Sequence, residues 1–331
     1  MVKIMTDPSL SPYLSWLNTV SGTQYTNAIL IQSLWSGYGA CFRTVNKNTG
    51  KPVVVKCIRP ANSTTHPRGW QSDHSHQRKL RSFEVEHYFY QELAPLTGSA
   101  CKVPDYLGGI AEGDNRMIIM EDLSACGFPL TTHSLTLSQA KCVLRWLGEF
   151  HGRFMHCSDE KVWKEGTYWH LGTRQNEWAA MPDSPLKSAA VQIDVALKNA
   201  RFSTLLHGDA KVANFCFNEQ FDDCAAVDFQ YCGHGAGIKD VVYFMGSALS
   251  DEDQRNGKET CLRHYFSALK GSLAKHCPQT DAEAAEAEWR GLYDLANADF
   301  HRFLAGWSPE HVKINRALQD STDNALAGLQ N

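Results

Sequence analysis

Short alternations of apolar and polar residues dominate the first third of the chain and predict an antiparallel sheet. Residues 29–34, 41–45 and 53–58 are apolar or β-branched runs, and residues typical of turns separate each run from the next. Residues 117–120 form one more short apolar run. The pattern therefore predicts four strands before residue 121.

One helix is expected among these strands. Aromatic and apolar residues recur at intervals of three and four over residues 82–93, and Pro95 would end such a helix. The preceding residues, 62–81, are polar and basic and predict a solvated loop. The alternative is a metal cluster formed by His66, His74, His76 and Cys57.

Helical periodicity dominates after residue 123. Thr136 and Gln139 match a capping box, and Ser184 stands before Pro185 as a helix cap. Apolar residues recur at helical spacing behind both caps. Each cap therefore predicts the start of a helix.

A further capping box is expected near the C-terminus. Thr280 and Glu283 would open a helix that Gly306 ends. With the strands gathered early and the helices late, the expected fold class is α+β. Residues 1–122 would form a small antiparallel β-sheet lobe with one main helix, and residues 123–331 a larger, mainly helical lobe.

Composition excludes several classes of protein. Hydrophobic residues make up 43% and charged residues 21% of the 331 residues, which is ordinary for a globular protein and excludes a disordered chain. The formal net charge of −4 argues against a basic nucleic-acid-binding protein. No apolar run reaches the roughly 18 residues of a membrane span. The 11 cysteines favour reduced thiols, which is typical of a cytoplasmic protein. From the charge and the absence of a long apolar run, we expect no nucleic-acid or membrane partner.

The most informative polar residues follow two short apolar runs near the middle of the chain. Asp209 and Asn214 follow the first run, and Asp228 ends the second. A phosphoryl-transfer site needs such a set, because one carboxylate accepts the proton of the acceptor hydroxyl while an amide oxygen and a second carboxylate hold Mg²⁺. The alternative is that these residues only cap turns, as Asp and Asn often do.

The same residues carry a resemblance to known kinases. His207-Gly208-Asp209 with Asn214 five residues later resembles the catalytic loop of the protein-kinase-like fold. The chain is more similar to the small-molecule kinases of that fold, the choline kinase, aminoglycoside phosphotransferase and ecdysteroid kinase-like group. This resemblance implies ATP and Mg²⁺ as cofactors, Asp209 as the catalytic base, and Asn214 and Asp228 as Mg²⁺ ligands.

Nucleotide contacts are implied in the first lobe, which the resemblance makes the nucleotide-binding lobe. Lys56 matches the strand lysine that reaches the nucleotide phosphates. Glu86 is its expected partner, with Glu84 as the competing choice. Gly37 and Gly39 lie where a loop would cover the phosphates, since glycine lets backbone N–H groups approach closely, and the alternative is an ordinary hairpin turn.

Three further assignments come from the resemblance. Residues 120–123 resemble the segment on which adenine docks through backbone groups, which points to Glu121 and Leu123. Lys211 corresponds to a lysine near the transferred phosphate, with a solvated loop lysine as the alternative. Asp240 resembles the aspartate that opens the helix after the metal-binding strand, and we expect it to cap that helix and so to support the site structurally.

The acceptor is expected to be a small molecule. Asp228-Phe229-Gln230 departs from the Asp-Phe-Gly of protein kinases, and Asp240 follows Asp228 by only 12 positions, too few for a regulated activation segment. An aromatic-rich segment of the second lobe would line either an acceptor pocket or a core: Trp163, Tyr168, Trp169, His170 and Trp178. If it lines a pocket, the acceptor presents an apolar or cationic face rather than a polyanion.

The expected function is ATP- and Mg²⁺-dependent O-phosphotransfer to the hydroxyl of a small-molecule alcohol. Asp209 and Lys211 would be the catalytic residues. A catalytically silent nucleotide-binding or scaffold protein with the same fold is the first alternative, and a protein kinase is the second.

Overall fold

The computed structural model describes residues 7–34, 37–60 and 73–330, without the side chains of residues 73 and 74. The chain divides into two compact units. Unit 1 comprises Met1–Gly98 and Val103–Pro129, and unit 2 comprises Ser99–Lys102 and Leu130–Asn331. Unit 1 contains a five-stranded sheet and unit 2 is mainly helical, so the predicted α+β fold class is confirmed.

Unit 1 is built around an antiparallel sheet with the strand order β1-β2-β3-β5-β4. The strands are β1 Tyr25–Ser33, β2 Gly39–Asn46, β3 Pro52–Ile58, β4 Tyr106–Glu112 and β5 Asn115–Glu121. The four expected strands are all present. The pattern does not predict β4, because Gly108 and Gly109 interrupt its apolar residues. A side chain at Gly109 would lie 2.3 Å from the Met117 carbonyl oxygen, so the close pairing of β4 with β5 requires glycine there.

A second helix that the pattern does not predict packs in unit 1. The helix α1, Ser11–Ser21, ends at Gly22, which has a φ of 64°. Its fully buried Leu17 belongs to a cluster with Phe42 and Val55 of the sheet. One buried residue leaves little periodicity to detect, which explains why the helix is missed.

The predicted helix over residues 82–93 is longer than expected. The helix α2, Asp73–Tyr88, begins nine residues earlier, so the solvated loop predicted for residues 62–81 is wrong for its second half. Residues 75–79 are all at least partly exposed, and a helix without an apolar face leaves no periodic signal. The chain continues as a π-helical turn, Phe89–Leu93, and a 3₁₀ turn, Ala94–Leu96. Residues 62–72, with His66, lie outside the described residues, as does the side chain of His74.

Unit 2 contains eight of the helices of the described chain. They are α3 Leu137–Arg153, α4 Gln175–Ala180, α5 Pro185–Lys198, α6 Ile238–Ala248, α7 Asp251–His276, α8 Ala282–Gly291, α9 Tyr293–Trp307 and α10 Arg316–Leu329. The capping box of Thr136 and Gln139 opens α3, which confirms that prediction. Ser184 caps α5 with Pro185 in its first turn, which confirms the other.

The prediction for the C-terminal helix is wrong in two respects. Asp281, not Thr280, caps α8, because its side chain accepts a hydrogen bond from the Ala284 N–H. Gly306 lies inside α9 and does not end it. A side chain at Gly306 would lie 1.9 Å from the Glu177 carbonyl oxygen, so this glycine serves close helix packing.

Short strands in unit 2 carry the polar motif. They are β6 Thr204–Leu206, β7 Phe215–Phe217, β8 Cys224–Ala226 and β9 Gly233–Gly235, and they pair as β6 with β9 and β7 with β8. Trp146 of α3 is buried beneath them and contacts the rings of His207, Phe215 and Phe229. Its Nε1 donates to the Lys102 carbonyl oxygen at 2.9 Å. The loops of the motif therefore rest on a packed aromatic core.

No helix among residues 7–34, 37–60 and 73–330 is both long and apolar enough to cross a lipid bilayer.

Candidate active site

The hairpin of β7 and β8 brings the polar residues of the motif to one end. Phe215 pairs with Ala226, so the residues just outside the hairpin, Asn214 and Val227, lie opposite each other. The Val227 N–H donates to the Asn214 carbonyl oxygen at 2.9 Å. Asp228 follows directly, with a left-handed backbone at a φ of 72°. The structure thus places Asp228 next to Asn214.

Asp209 and Asn214 are in direct contact. The Asn214 Nδ2 donates to the Asp209 carbonyl oxygen at 2.8 Å and to its Oδ2 at 3.0 Å. Both residues are buried, with 6% of each exposed. The buried Oδ1 of Asp209 receives no hydrogen bond of standard geometry from a described residue. Oδ1 is therefore the Asp209 carboxylate oxygen that neither Asn214 nor Lys211 holds.

Lys211 turns back onto the same carboxylate. Its Nζ donates to Asp209 Oδ2 at 2.9 Å. Burial works to lower the pKa of Lys211, but the negative charge of Asp209 and then of Asp228 raises it above its usual value. Lys211 therefore stays protonated and paired with Asp209, whereas a solvated loop lysine would have no such partner.

Gly208 gives the loop a shape that other residues cannot adopt. Its φ is 81°, and a side chain at this position would lie 1.9 Å from the Tyr231 carbonyl oxygen. The Gly208 carbonyl oxygen accepts a hydrogen bond from the Tyr168 N–H at 3.3 Å. The loop is therefore held closely between two neighbouring segments of unit 2.

The Asp240 side chain binds the loop that carries Asp209. The prediction that it caps a helix is wrong. Gly237 occupies the cap position of α6, and Asp240 lies within the first turn. The Asp240 carboxylate accepts hydrogen bonds from the His207 N–H at 2.6 Å and the Gly208 N–H at 3.0 Å. The aspartate is near the helix start as expected, but its side chain satisfies donors of the loop rather than those of the helix.

Two histidines complete this support. The Asp209 N–H donates to His207 Nδ1 at 3.2 Å, so His207 carries its proton on Nε2, which donates to the Val227 carbonyl oxygen at 3.0 Å. Burial lowers the pKa of His207, which keeps the ring neutral. His151 Nε2 lies 3.1 Å from Asp240 Oδ2, and its Nδ1 lies 2.8 Å from the Tyr265 hydroxyl.

Asn214 and Asp228 carry the kinds of oxygen donor that a Mg²⁺ ion takes, and Gln230 Nε2 donates to Asp228 Oδ1 at 2.6 Å. Because both hydrogen bonds of the Asn214 side chain use Nδ2, its Oδ1 accepts no hydrogen bond from a described residue. A carboxylate and an amide oxygen are the hard ligands that Mg²⁺ prefers. Within the described residues there is no group of three or more His, Cys, Asp and Glu side chains that could hold a metal. This pair therefore suits an ion that takes its other ligands from water and phosphate groups.

In unit 1 the expected lysine and glutamate meet. The Lys56 Nζ lies 2.7 Å from Glu86 Oε1, and the residues are 6% and 1% exposed. Glu84, the competing choice, instead pairs with Arg81 and Arg116 on the surface. Lys56 comes from β3 and Glu86 from α2, so the pair links the sheet to the helix.

The glycine segment forms the turn between β1 and β2. The Gly37 N–H donates to the Leu34 carbonyl oxygen at 3.2 Å, and no atom of the described chain would obstruct a side chain at Gly37 within 4 Å. Gly39, with a φ of 147°, lies so close to β3 that a side chain would meet the Cys57 carbonyl oxygen at 1.9 Å. Between them Tyr38 is buried, and its hydroxyl lies 2.5 Å from His76 Nδ1 of α2. Of the two glycines, Gly37 is therefore the one with open backbone.

The segment proposed for adenine lies at the end of β5. Glu121 is the last residue of the strand, and its N–H donates to the Asp105 carbonyl oxygen at 2.9 Å. Leu123 opens a 3₁₀ turn, Leu123–Cys126, which Asp122 caps by accepting a hydrogen bond from the Ser124 N–H at 3.1 Å. Arg43 of β2 forms a two-bond ion pair with Asp122, which fixes this segment to the sheet.

The aromatic segment predicted for the acceptor divides into several roles. Tyr168 lies near the catalytic loop: burial first, and then the charge of Asp209, raise its pKa. Trp169 is fully buried against Phe300, and His170 Nδ1 lies 3.0 Å from Glu165 Oε2. The indole N–H groups of the other two tryptophans donate hydrogen bonds to backbone carbonyl oxygens, Trp163 to that of Gln230 and Trp178 to that of Lys187.

Two residues that sequence reasoning missed also lie near Asp209. The Tyr243 hydroxyl is 3.0 Å from that of Tyr168, and burial followed by the charge of Asp209 raises the pKa of Tyr243. The Lys313 Nζ lies 4.9 Å from the centroid of the Tyr243 ring. Tyr243 sits among the buried residues of α6, and Lys313 follows α9, so neither belongs to a recognisable local motif.

Comparisons with known proteins yield one family and several relatives. The sequence profile of the ecdysteroid kinase-like family matches residues 65–176 and 186–277, more than half of the chain. The matched ranges contain all the predicted site residues except Gly37, Gly39 and Lys56. An uncharacterized kinase-like protein from Caenorhabditis elegans is 22% identical over 274 residues, which make up 75% of this chain and 72% of the relative.

Two solved structures are similar at low identity. A microcompartment-associated aminopropanol kinase is 14% identical with a TM-score of 0.45, over 91% of this chain and 90% of that one. An ethanolamine kinase from Plasmodium vivax is 11% identical with a TM-score of 0.46, over 94% of this chain and 84% of that one.

Proposed function

This chain belongs to the ecdysteroid kinase-like family, and from that premise we propose that it is an ATP- and Mg²⁺-dependent phosphotransferase that phosphorylates the hydroxyl group of a small-molecule alcohol. The observation that carries the proposal is the arrangement of Asp209, Asn214 and Asp228 in unit 2. The first two are in contact, and the third adjoins them across a hairpin end. These three residues supply the kinds of group that a base and a pair of Mg²⁺ ligands would need.

The proposed reaction assigns one role to each polar group. Asp209 Oδ1 accepts the proton of the acceptor hydroxyl as the alkoxide oxygen attacks the terminal phosphorus of ATP, and ADP leaves. Lys211 lies beside Asp209 as a fixed cation and would offset negative charge on the phosphoryl group in transit. Asn214 and Asp228 would hold Mg²⁺, which when bound neutralises charge on the phosphates.

Unit 1 would contribute nucleotide binding. The Lys56 ammonium is held by Glu86 and would bind phosphate oxygens, and the open backbone at Gly37 would donate N–H groups to them. Glu121 and Leu123 would bind adenine through backbone groups. The family's chemistry and the geometry of each residue within unit 1 support these roles.

The decisive test replaces Asp209 by Asn, which keeps the shape of the side chain and removes the base. We expect Mg²⁺-dependent ATP binding to persist and alcohol-dependent phosphorylation to fall by roughly 10²–10⁴-fold. Asp183→Asn makes the same chemical change at a fully exposed side chain and is the matched control.

The readouts are titration calorimetry with ATP and Mg²⁺, and mass spectrometry of the phosphorylated alcohol across an alcohol library. Near-wild-type product formation by Asp209→Asn would contradict the assignment of the base. If the wild-type protein binds ATP but forms no product from any alcohol, the protein is a silent nucleotide-binding protein. Transfer to peptides instead of alcohols would favour a protein kinase.

A further inference from the structure

Lys313 projects toward the rings of Tyr243 and Phe300, which belong with Tyr168 and Phe303 to an aromatic cluster near the proposed base. It lies in the irregular connection between α9 and α10, next to Val312, which is 89% exposed. Its Nζ is 4.9 Å from the centroid of the Tyr243 ring and 5.8 Å from that of the Phe300 ring. The stem is therefore partly buried, although the segment that carries it is at the surface.

The ammonium group of Lys313 has no counter-ion among residues 7–34, 37–60 and 73–330. Within those residues, neither a hydrogen bond nor an ion pair to a carboxylate involves its Nζ. Burial lowers the pKa of Lys313 to about 8, Asp209 acts in the opposite direction, and the positive charge of Lys211 lowers it again. An ammonium group that no protein carboxylate neutralises is free to bind an anionic group of a ligand.

Tyr243 connects Lys313 to the site of the chemistry. Its ring lies beneath the Lys313 ammonium, while its hydroxyl contacts Tyr168 at 3.0 Å. The charge of Asp209 acts on Tyr243, on Tyr168 and on Lys313. A small alcohol with its hydroxyl at Asp209 would therefore extend past the half-buried Tyr168 toward Lys313.

A second cationic side chain, Arg174, also lies against rings of this aromatic cluster. Arg174 lies 5.5 Å from the Tyr168 ring and 5.0 Å from the Phe303 ring. It is paired with Glu177 at 3.0 Å, just as Lys211 is paired with Asp209. An ammonium group on the acceptor would compete with Arg174 and Lys313 for the same faces and would be repelled by both.

We propose that Lys313 binds the acceptor alcohol and selects acceptors that carry an anionic group, such as a carboxylate, against acceptors that carry an ammonium group. The inference rests on the proposed function, since it concerns the acceptor of that same reaction. It keeps the apolar half of the expectation from the sequence, because the half-buried Tyr168 ring can contact an apolar body. It replaces the cationic half with the opposite charge.

A set of three matched alcohols tests the selection. 4-(Hydroxymethyl)benzoate, 1,4-benzenedimethanol and 4-(hydroxymethyl)benzylamine share a benzyl alcohol and differ in charge at the para position. Titration calorimetry with the full-length protein should show the carboxylate binding at least tenfold more tightly than the diol, and the amine binding more weakly than the diol. Equal affinities, or no binding of the carboxylate, would overturn the proposal.

Substitutions then assign the preference to Lys313. Lys313→Met should bring the affinities for the carboxylate and the diol within about twofold of each other. Lys258 is the matched control, because its Nζ also lies over a tyrosine ring of unit 2, 4.0 Å from Tyr293, and it has Asp294 as partner. Lys258→Met should leave the preference unchanged. If Lys313→Met keeps the wild-type preference, the residue does not select the acceptor.

The pH dependence provides a readout that a purely structural role would not produce. The charged or titratable groups near Lys313 are Asp209, Lys211, Tyr243 and His311. The carboxylate and the diol do not change charge between pH 6.5 and 9.5, so loss of the preference above about pH 8 would report deprotonation of Lys313. Lys313→Arg should keep the preference to higher pH, because arginine stays protonated. The same pH profile in both proteins would overturn the assignment.

These results separate the two proposals. Binding and its charge preference are measured without ATP, so they do not depend on phosphoryl transfer. If the preference depends on Lys313 but no phosphorylated product forms with ATP and Mg²⁺, the proposed function fails while Lys313 remains an anion-binding residue. If product forms from all three alcohols without regard to charge, the proposed function stands and the inference fails.

Discussion

The side-chain amide of Asn214 donates to both the backbone carbonyl oxygen and the carboxylate of Asp209, at 2.8 and 3.0 Å. Asn214 thereby holds the carboxylate of the proposed base while its own Oδ1 stays free of these two hydrogen bonds. If Asn214 is also a metal ligand, as we propose, one amide would couple the orientation of the base to the binding of the metal.

Asn214→Asp tests this coupling. The substitution removes both donated hydrogen bonds and places a second carboxylate against Asp209, so one of the two carboxyl groups should have a raised pKa. We expect kcat to fall at least 100-fold and the pH optimum to move upward. Asn199→Asp, at the exposed end of α5, is the control. An unchanged pH–rate profile would show that Asn214 does not orient the base.

Asp240→Ala tests the support of the loop. The substitution leaves the buried N–H groups of His207 and Gly208 without their acceptor, and it should lower the free energy of unfolding by about 3–5 kcal/mol. Tyr265→Phe removes only the hydroxyl next to His151 and should cost about 1 kcal/mol. Urea unfolding of both variants measures the difference. Equal stability of the two variants would mean that Asp240 does not hold the loop.

Gly208→Ala should disrupt the catalytic loop. The methyl group would collide with the Tyr231 carbonyl oxygen, and the backbone would be strained at a φ of 81°. We expect both lower thermal stability and loss of transfer. Gly271 lies inside α7, and a methyl group there would meet no atom of the described chain within 4 Å, so Gly271→Ala should be neutral or stabilise by up to about 1 kcal/mol. Full activity of Gly208→Ala would contradict the tight fit of this loop.

Lys56→Met tests the nucleotide role of unit 1. Removing the ammonium that Glu86 holds should reduce kcat/KM for ATP by roughly 100-fold, because a phosphate contact is lost. Lys51→Met changes an exposed lysine just before β3 and should leave kcat/KM unchanged. Steady-state kinetics at saturating acceptor measure the effect. Equal kinetics of the two variants would remove Lys56 from the nucleotide site.

Glu165 should make unit 2 sensitive to acid. Burial alone would raise its pKa, but His170, Lys239 and Lys198 surround the carboxylate and lower the pKa from 4.5 to about 2. A depressed folded pKa means that this stabilisation is present above pH 4.5 and is lost as the pH falls toward 2. The loss amounts to about 3 kcal/mol.

Glu165→Gln removes the titrating group, so the free energy of unfolding should fall less steeply between pH 4.5 and 2.5 than in the wild-type protein. The variant should also be less stable at pH 7, because Lys239 is buried and loses the carboxylate at 3.3 Å. Chemical unfolding across this pH range measures both effects. Parallel pH curves for the two proteins would rule out Glu165 as the source.

Much of the fold and the neighbourhood of the base could be predicted because the signals are local. Asp209 and Asn214 are five residues apart, and a short hairpin then brings the backbone of Asp228 next to Asn214. This local order matches the motif on which the resemblance to known kinases rests. The caps at Thr136 and Ser184 depend on residues within one helical turn. Local chemistry of this kind survives in a sequence without knowledge of the tertiary structure.

The remaining parts depend on contacts between distant segments. Lys313 follows Asp209 by 104 positions, and nothing in its own neighbourhood distinguishes it from a surface lysine. The role of Asp240 depends on the direction of its side chain, which the start of α6 does not reveal. Gly306 has the residue type of a helix end, yet it serves the approach of Glu177.

The position of Asp240 affects how incomplete copies of such genes should be interpreted. A truncated product that stops between Asp228 and α6 would retain every letter of the His-Gly-Asp, Asn and Asp signature and would lack the carboxylate that shapes the first part of it. Motif searches would count such fragments as enzymes. Pseudogenes and splice variants in this family should therefore be judged by whether α6 is intact.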